Sequence, residues 1–132
     1  MIHQFYIFDK KGNQLHFQAI SQLANTIPDS FVSNIIWQLK QMVVLFNNDD
    51  KLNSFETDKY GCHVFELSSG FCFVLMTSVG QETNFIQDCL KKFCQEVFIE
   101  SCLQDSQWNP SQPQFSQIFK DASEQYWKKI VL

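Results

Sequence analysis

The chain is predicted to be an α+β sandwich, five antiparallel strands flanked by three helices in the order ββ-α-βββ-αα. Three observations carry this. Residues 71–76, Phe-Cys-Phe-Val-Leu-Met, are a short unbroken apolar run, the pattern of a central strand covered on both faces. Residues 60–67, just before the turn Ser68-Ser69-Gly70, alternate bulky with small or polar side chains, as a neighbouring strand does. Three further segments, near 31–46, 86–97 and 115–130, repeat apolar residues at helical spacing.

The elements follow in order. Residues 4–8 read as an apolar strand. Asp9-Lys10-Lys11-Gly12-Asn13 is a turn in which Gly12 can take positive φ, and 14–18 is the returning strand, with Leu15 and Phe17 on one face and Gln14, His16 and Gln18 on the other. After a loop at 20–28, Asp29 or Ser30 caps a helix whose core stripe is Phe31, Ile35, Leu39, Met42 and Phe46. Asn47-Asn48-Asp49-Asp50 ends it. A polar bend at 57–59 divides the strand runs of the meander. Thr83 is the expected N-cap of a helix over 81–104, striped by Ile86, Cys89, Leu90, Phe93 and Val97. Pro110 and Pro113 interrupt the chain before a last helix over 114–130, striped by Phe115, Ile118, Phe119, Ala122, Tyr126 and Ile130. The apolar strand at 5–8 belongs in the centre of the sheet, beside 71–76.

At 132 residues the chain is expected to be one domain, 1–132. Its 45% hydrophobic and 18% charged content provides a core without disulfides or metals and argues against disorder. Fourteen Phe residues exceed what one core readily absorbs, which suggests a partner. Every basic residue is Lys, the net charge is −4, and the Lys pairs are isolated. Without Arg there is no bidentate clamp for phosphate or guanine, so nucleic acid is not an expected partner. Five cysteines, an odd number without CxxC spacing, read as free thiols of a reducing compartment. No apolar run reaches the ~18 residues of a membrane span, so direct membrane insertion is not expected.

Chemistry-bearing clusters are sparse. His16 and His63 lie on strands where either could meet a cysteine, and a Cys–His pair can generate a thiolate. No third orienting group accompanies them, so they read as sheet positions and the chain as a non-enzyme. The acids at Asp49-Asp50, Glu56, Asp58 and Glu82 lack the spacing and glycine of a calcium loop. No metal or cofactor is expected.

The first helix carries the candidate site. Trp37 and Val44, seven residues apart, fall on the side opposite its core stripe, and Ile36 and Val43 widen that apolar arc. No obvious element covers them, so Ile36, Trp37, Val43 and Val44 are the expected partner interface. Phe98 and Ile99 raise the same question, although the last helix could cover them.

Three stretches bear a likeness to a known family. The opening Phe5-Tyr-Ile-Phe-Asp-Lys-Lys-Gly-Asn-Gln-Leu-His16 resembles its first strand, Asp/Asn-x-x-Gly turn and returning strand. Ser54-Phe-x-Thr-x-x-Tyr60, with His63, Glu66 and Gly70, is similar to its meander. Pro113-x5-Phe119, after Trp108, is similar to the start of its last helix. The chain thus resembles the longin fold and, within it, the sybindin-like small subunits of the TRAPP vesicle-tethering complex, most of all the subunit 1 type. It departs in having Ser69-Gly70 for Thr-Gly and Ser78 for Asp, and in a short loop without the family's aromatic before the first helix. The resemblance implies a cytoplasmic, non-catalytic subunit, peripheral at cis-Golgi and endoplasmic-reticulum membranes. Its partners would be longin-type and α-helical-rich subunits and, through the assembly, a Rab-type GTPase whose nucleotide exchange the complex promotes in ER-to-Golgi and intra-Golgi transport. Longin domains of the signal-recognition-particle receptor and adaptor small subunits share the fold and stay open as alternatives; a small Cys–His enzyme is the alternative from another class.

Overall fold

Alternation of side chains across a pleated sheet decides which residues share a face, and here both faces of the central strands are apolar. A computed structural model of the chain describes residues 2–20, 34, 36–38, 54–56, 60–67, 69–104, 109 and 115–130. Strands β1 (Ile2–Phe8), β2 (Gln14–Ala19), β3 (Ser54–Glu56), β4 (Tyr60–Glu66) and β5 (Cys72–Ser78) form one antiparallel sheet in the order β2-β1-β5-β4-β3. The two apolar runs meet at its centre as expected: Phe5 pairs with Leu75 and Ile7 with Phe73. Every residue of β1 is buried, and all of β5 but Ser78.

The first face carries the larger core. Phe5, Ile7, Phe73 and Leu75 point toward α1 (Thr83–Phe93), a π-helical segment (Cys94–Ile99), α2 (Glu100–Gln104) and α3 (Gln117–Ile130). Its centre is aromatic, with the Phe5 ring 4.7 Å from Phe93 and 4.9 Å from Trp127. The second face presents Tyr6, Phe8, Cys62, Val64, Cys72, Val74 and Met76, and helical Ile36 packs against them. The architecture is the α+β, longin-like arrangement expected. The caps and core stripe assigned to the first helix lie outside the described residues.

Four local expectations are corrected. Thr83 is the first helical residue rather than a cap; Glu82 stands at the N-cap and makes no side-chain bond there. The helix over 81–104 is not uniform, because its buried pairs Cys89-Leu90, Phe93-Cys94 and Val97-Phe98 recur every four residues. A 3.6-residue turn would rotate the last pair off the sheet, and the wider π turn keeps it there. Phe98 thereby reaches Phe71 (5.5 Å) and Phe73 (5.1 Å). The last helix begins at Gln117, with Ser116 Oγ accepting the Phe119 N–H at 3.2 Å as a capping side chain does. Its buried line is Phe119, Ser123 and Trp127; Ile118, about 100° before Phe119 on the wheel, is 77% exposed. In β2 the register slips between Ile7 and Phe8, which pair with His16 and Gln14 and leave Leu15 on a bulge. Leu15 therefore joins the helix-side core, whereas Phe17 lies on the opposite face beside Tyr6.

Candidate interaction surfaces

The surroundings of Trp37 are built from the β1–β2 turn upward. Asp9 accepts the backbone N–H groups of Lys11 (2.9 Å) and Asn13 (2.8 Å), and the Asn13 side-chain amide at 3.0 Å. Burial pushes its carboxyl up, but these bonds, those to Asn13 first, outweigh burial and hold it below its ordinary value. The turn so fixed places Gly12 at φ 87°. A Cβ there would sit 3.4 Å from the Trp37 ring, so the hairpin turn lies against the indole. Lys10, in the same turn, passes over Gly70: a Cβ on Gly70 would come 2.7 Å from that of Lys10. Two turns and the indole thus share one end of the sheet.

This geometry revises the expected patch. Ile36 is 4% exposed and belongs to the second-face core, so it does not border an outward surface. The position next to Trp37 thus belongs to the same buried cluster as Tyr6 and Val74. Trp37 is half-buried, and one element that lies against it, which the sequence did not reveal, is the β1–β2 turn. Val43 and Val44 lie outside the described residues. Phe98 is covered by Phe115 and Phe119 of the last-helix region, as allowed for, while Ile99 is 41% exposed. Further exposed apolar side chains are Phe17, Val79, Phe85 and Ile118.

The cysteines and histidines are buried or half-buried. Cys62, Cys72, Cys89 and Cys94 are buried, Cys102 is half-buried, and all five are free. Burial pushes the Cys62, Cys89 and Cys94 thiols up, opposite to what a nucleophilic thiolate needs. Cys62 and His63 are adjacent in β4 and so point to opposite faces. His63 meets Thr77. His16 is enclosed by the rings of Phe5, Phe115 and Phe119. Burial holds both imidazoles below their ordinary pKa. Among the described residues, no group of three or more His, Cys, Asp or Glu is placed to hold a metal.

One open cleft of about 360 Å³ lies between the π-helical segment and α3, lined by Glu96, Val97, Ala122, Tyr126, Lys129 and Ile130 among others. The Tyr126 hydroxyl is already committed, donating to the Cys89 carbonyl at 2.7 Å. The cleft's lining combines apolar side chains with one acid, Glu96, and one amine, Lys129. No helix of the described residues is long and apolar enough to cross a membrane.

Comparison with known proteins gives a family and a fold. The model of the Sybindin-like family matches residues 2–130. No curated protein matches. Among solved structures, Myxococcus xanthus MglB is similar at 14% identity and a TM-score of 0.54, over 80% of this chain and 82% of that one. A structure titled "MglB with tetrameric arrangement" is similar at 14% identity and a TM-score of 0.51, over 75% and 76%. At such identity the likeness concerns the fold.

Proposed function

The chain belongs to the Sybindin-like family, and we propose that it is a non-catalytic longin-type subunit, a single domain over 1–132, of a TRAPP-like vesicle-tethering assembly. The observation that carries this is the family match over 2–130, spanning all five strands and the helices through Ile130. The interior supports it, since its cysteines and histidines serve packing and form no Cys–His pair at Cys62 and His63. In such an assembly the chain contributes to nucleotide exchange on a Rab-type GTPase, which needs binding that favours the nucleotide-free GTPase and no covalent step. Its motifs resemble those of the subunit 1 type. The place of action is the cytoplasmic side of cis-Golgi and endoplasmic-reticulum membranes, held there through partners, in ER-to-Golgi and intra-Golgi transport.

Affinity purification of the chain from its native cells, with masses of whatever accompanies it, tests this. Stoichiometric longin-type and helix-rich partners are expected, with exchange activity on a Rab-type GTPase in the intact assembly. Recovery of the chain alone, or with signal-recognition-particle-receptor or adaptor components, overturns the reading.

A further inference from the structure

The last helix carries a knob and a hollow on one flank. At ~100° per residue, Ile118, Ala122, Gln125 and Lys129 of α3 fall within ~60° of one another, beside the buried line of Phe119, Ser123 and Trp127. Ile118 is 77% exposed, the most exposed of the large apolar side chains among the described residues. Toward the other end of the same flank lies the open cleft of about 360 Å³, where Val97, Ala122, Tyr126 and Ile130 supply apolar lining and Lys129 an amine. Ala122, one turn on from the knob, is small enough to let a second helix approach closely. An exposed isoleucine alone is ordinary. An exposed isoleucine and an apolar cleft at opposite ends of one helix flank are the two halves of a self-complementary surface.

We propose that this flank is a self-association surface, on which two copies of the chain pack their last helices antiparallel about a two-fold axis level with Ser123 and Glu124, each Ile118 entering the other's cleft. The spacing selects the occupant. Such a pairing sets Ile118 opposite Lys129 of the second copy and Ala122 opposite Gln125, so all four residues of the flank are matched at once. The Ile118 side chain then lies along the apolar stem of Lys129, with the apolar lining of the cleft beyond it. Charge agrees with the antiparallel direction. The two Lys129 ammonium groups stand at opposite ends of the contact, ~16 Å apart along the helices, and each comes within one turn of Asp121 of the second copy. A parallel pairing would bring Lys129 against Lys129 and leave both clefts without a knob. The Lys128–Glu124 ion pair lies on the far side of α3 and is undisturbed. One helix pair is a small interface, so the dimer is weak. This inference rests on the helix surface and not on the tethering role, and co-purification of partners decides that role separately.

Sedimentation equilibrium of the full chain over a wide concentration range is the first measurement. A reversible monomer–dimer equilibrium is expected, with Ile118→Lys raising the dissociation constant ~10-fold or more, because it removes the knob and sets an ammonium against that of Lys129. Adding Lys129→Glu to that variant should bring the dimer back, which loss of folding would not allow, and circular dichroism monitors the fold of both. Cysteine pairs supply an independent reading. Mild oxidation of an equal mixture of Ala122→Cys and Gln125→Cys chains should give a mixed disulfide dimer through those two positions, whereas Lys128→Cys chains should not link through position 128. A chain monomeric throughout overturns the proposal. So does a dimer that survives Ile118→Lys, one that Lys129→Glu fails to restore, a mixture that gives no link between positions 122 and 125, or an Ile118-dependent contact made only with a different protein.

Discussion

The imidazole of His63 and the hydroxyl of Thr77 meet directly over Gly61, with Nε2 and Oγ1 3.3 Å apart. The Thr77 hydroxyl donates its single hydrogen to the Ser78 carbonyl at 2.9 Å, so its oxygen accepts and His63 Nε2 donates. Nδ1 is then a bare, buried lone pair, without a partner among the described residues. A neutral ring is thereby held between two strands by one contact, and the missing side chain of Gly61 makes room for it.

Gly61→Ala tests that arrangement. The added Cβ would lie 2.8 Å from Thr77 Oγ1 and 3.3 Å from both His63 Nε2 and the Ser78 carbonyl oxygen. One of those neighbours is backbone in the paired strand, so relaxation must shift the sheet or break the His63–Thr77 bond. A loss of ~1–3 kcal/mol is expected in urea unfolding, the range for an overpacked interior. Unchanged stability would mean that the strands separate there without cost.

Acid should weaken the fold through the same group. Burial holds His63 below its ordinary value of 6.5, with Glu56 partly opposing, and burial holds His16 and His3 low as well. The unfolded chain therefore binds protons that the folded chain refuses. Stability is full above about pH 6.5 and falls as pH drops toward the lowered folded values, with a slope of at most ~1.4 kcal/mol per pH unit for each histidine. Denaturation midpoints measured from pH 7.5 to 5 should decline, and His63→Gln should flatten part of the decline. Buried thiols act at the other end: with Cys62, Cys89 and Cys94 raised, stability should fall again as pH passes their ordinary value near 9.

Trp127 anchors the last helix. It is fully buried, with ring centroids 4.9 Å from Phe5, 5.0 Å from Tyr126 and 5.4 Å from Phe93. Trp127→Ala should cost ~3–5 kcal/mol, a large share of a domain's stability. Its indole N–H has no partner among the described residues. Trp127→Phe should cost distinctly less, because it removes an unsatisfied donor along with some contact area. Thermal unfolding of the two variants side by side decides this; equal losses would show that the N–H is paired in solution.

The sheet was legible because its signals are local and redundant: an unbroken apolar run at β5, another at β1, and turn residues between. What escaped depends on tertiary geometry. Thr83 has a capping side chain, but the helix starts on it. Ile118 fits the apolar stripe, yet Phe119 and Trp127 are larger and set the buried arc. The π-helical segment did leave a trace, the four-residue recurrence of apolar pairs at 89/90, 93/94 and 97/98, which is longer than an α-helical turn. At the candidate site, a wheel separates Ile36 from the core stripe but cannot show that the second sheet face reaches around to it. Nor does a sequence reveal that a turn some twenty-five residues earlier, at Gly12, lies on Trp37.

That geometry separates Ile36 from Trp37 in their expected effects. Ile36 is core, so Ile36→Ala should destabilise the lone domain by ~2–4 kcal/mol, whatever its partners do. Trp37 keeps one side against Gly12 and is half-buried, leaving part of the indole for another molecule. A desolvated interfacial Trp can be worth ~2 kcal/mol or more, so Trp37→Ala with Val44→Ser should sharply reduce co-purification of partner subunits. The fold should lose less than with Ile36→Ala. Gly12→Ala, pressing a Cβ toward the indole from a positive-φ position, should cost stability through strain whether or not partners bind. Thermal unfolding and partner recovery, measured on all three variants, distinguish the possibilities. If the Trp37 and Val44 double variant unfolds the domain as badly as Ile36→Ala, the indole is core and the interface lies elsewhere. If fold and assembly both survive it, Trp37 is surface that the β1–β2 turn merely shelters.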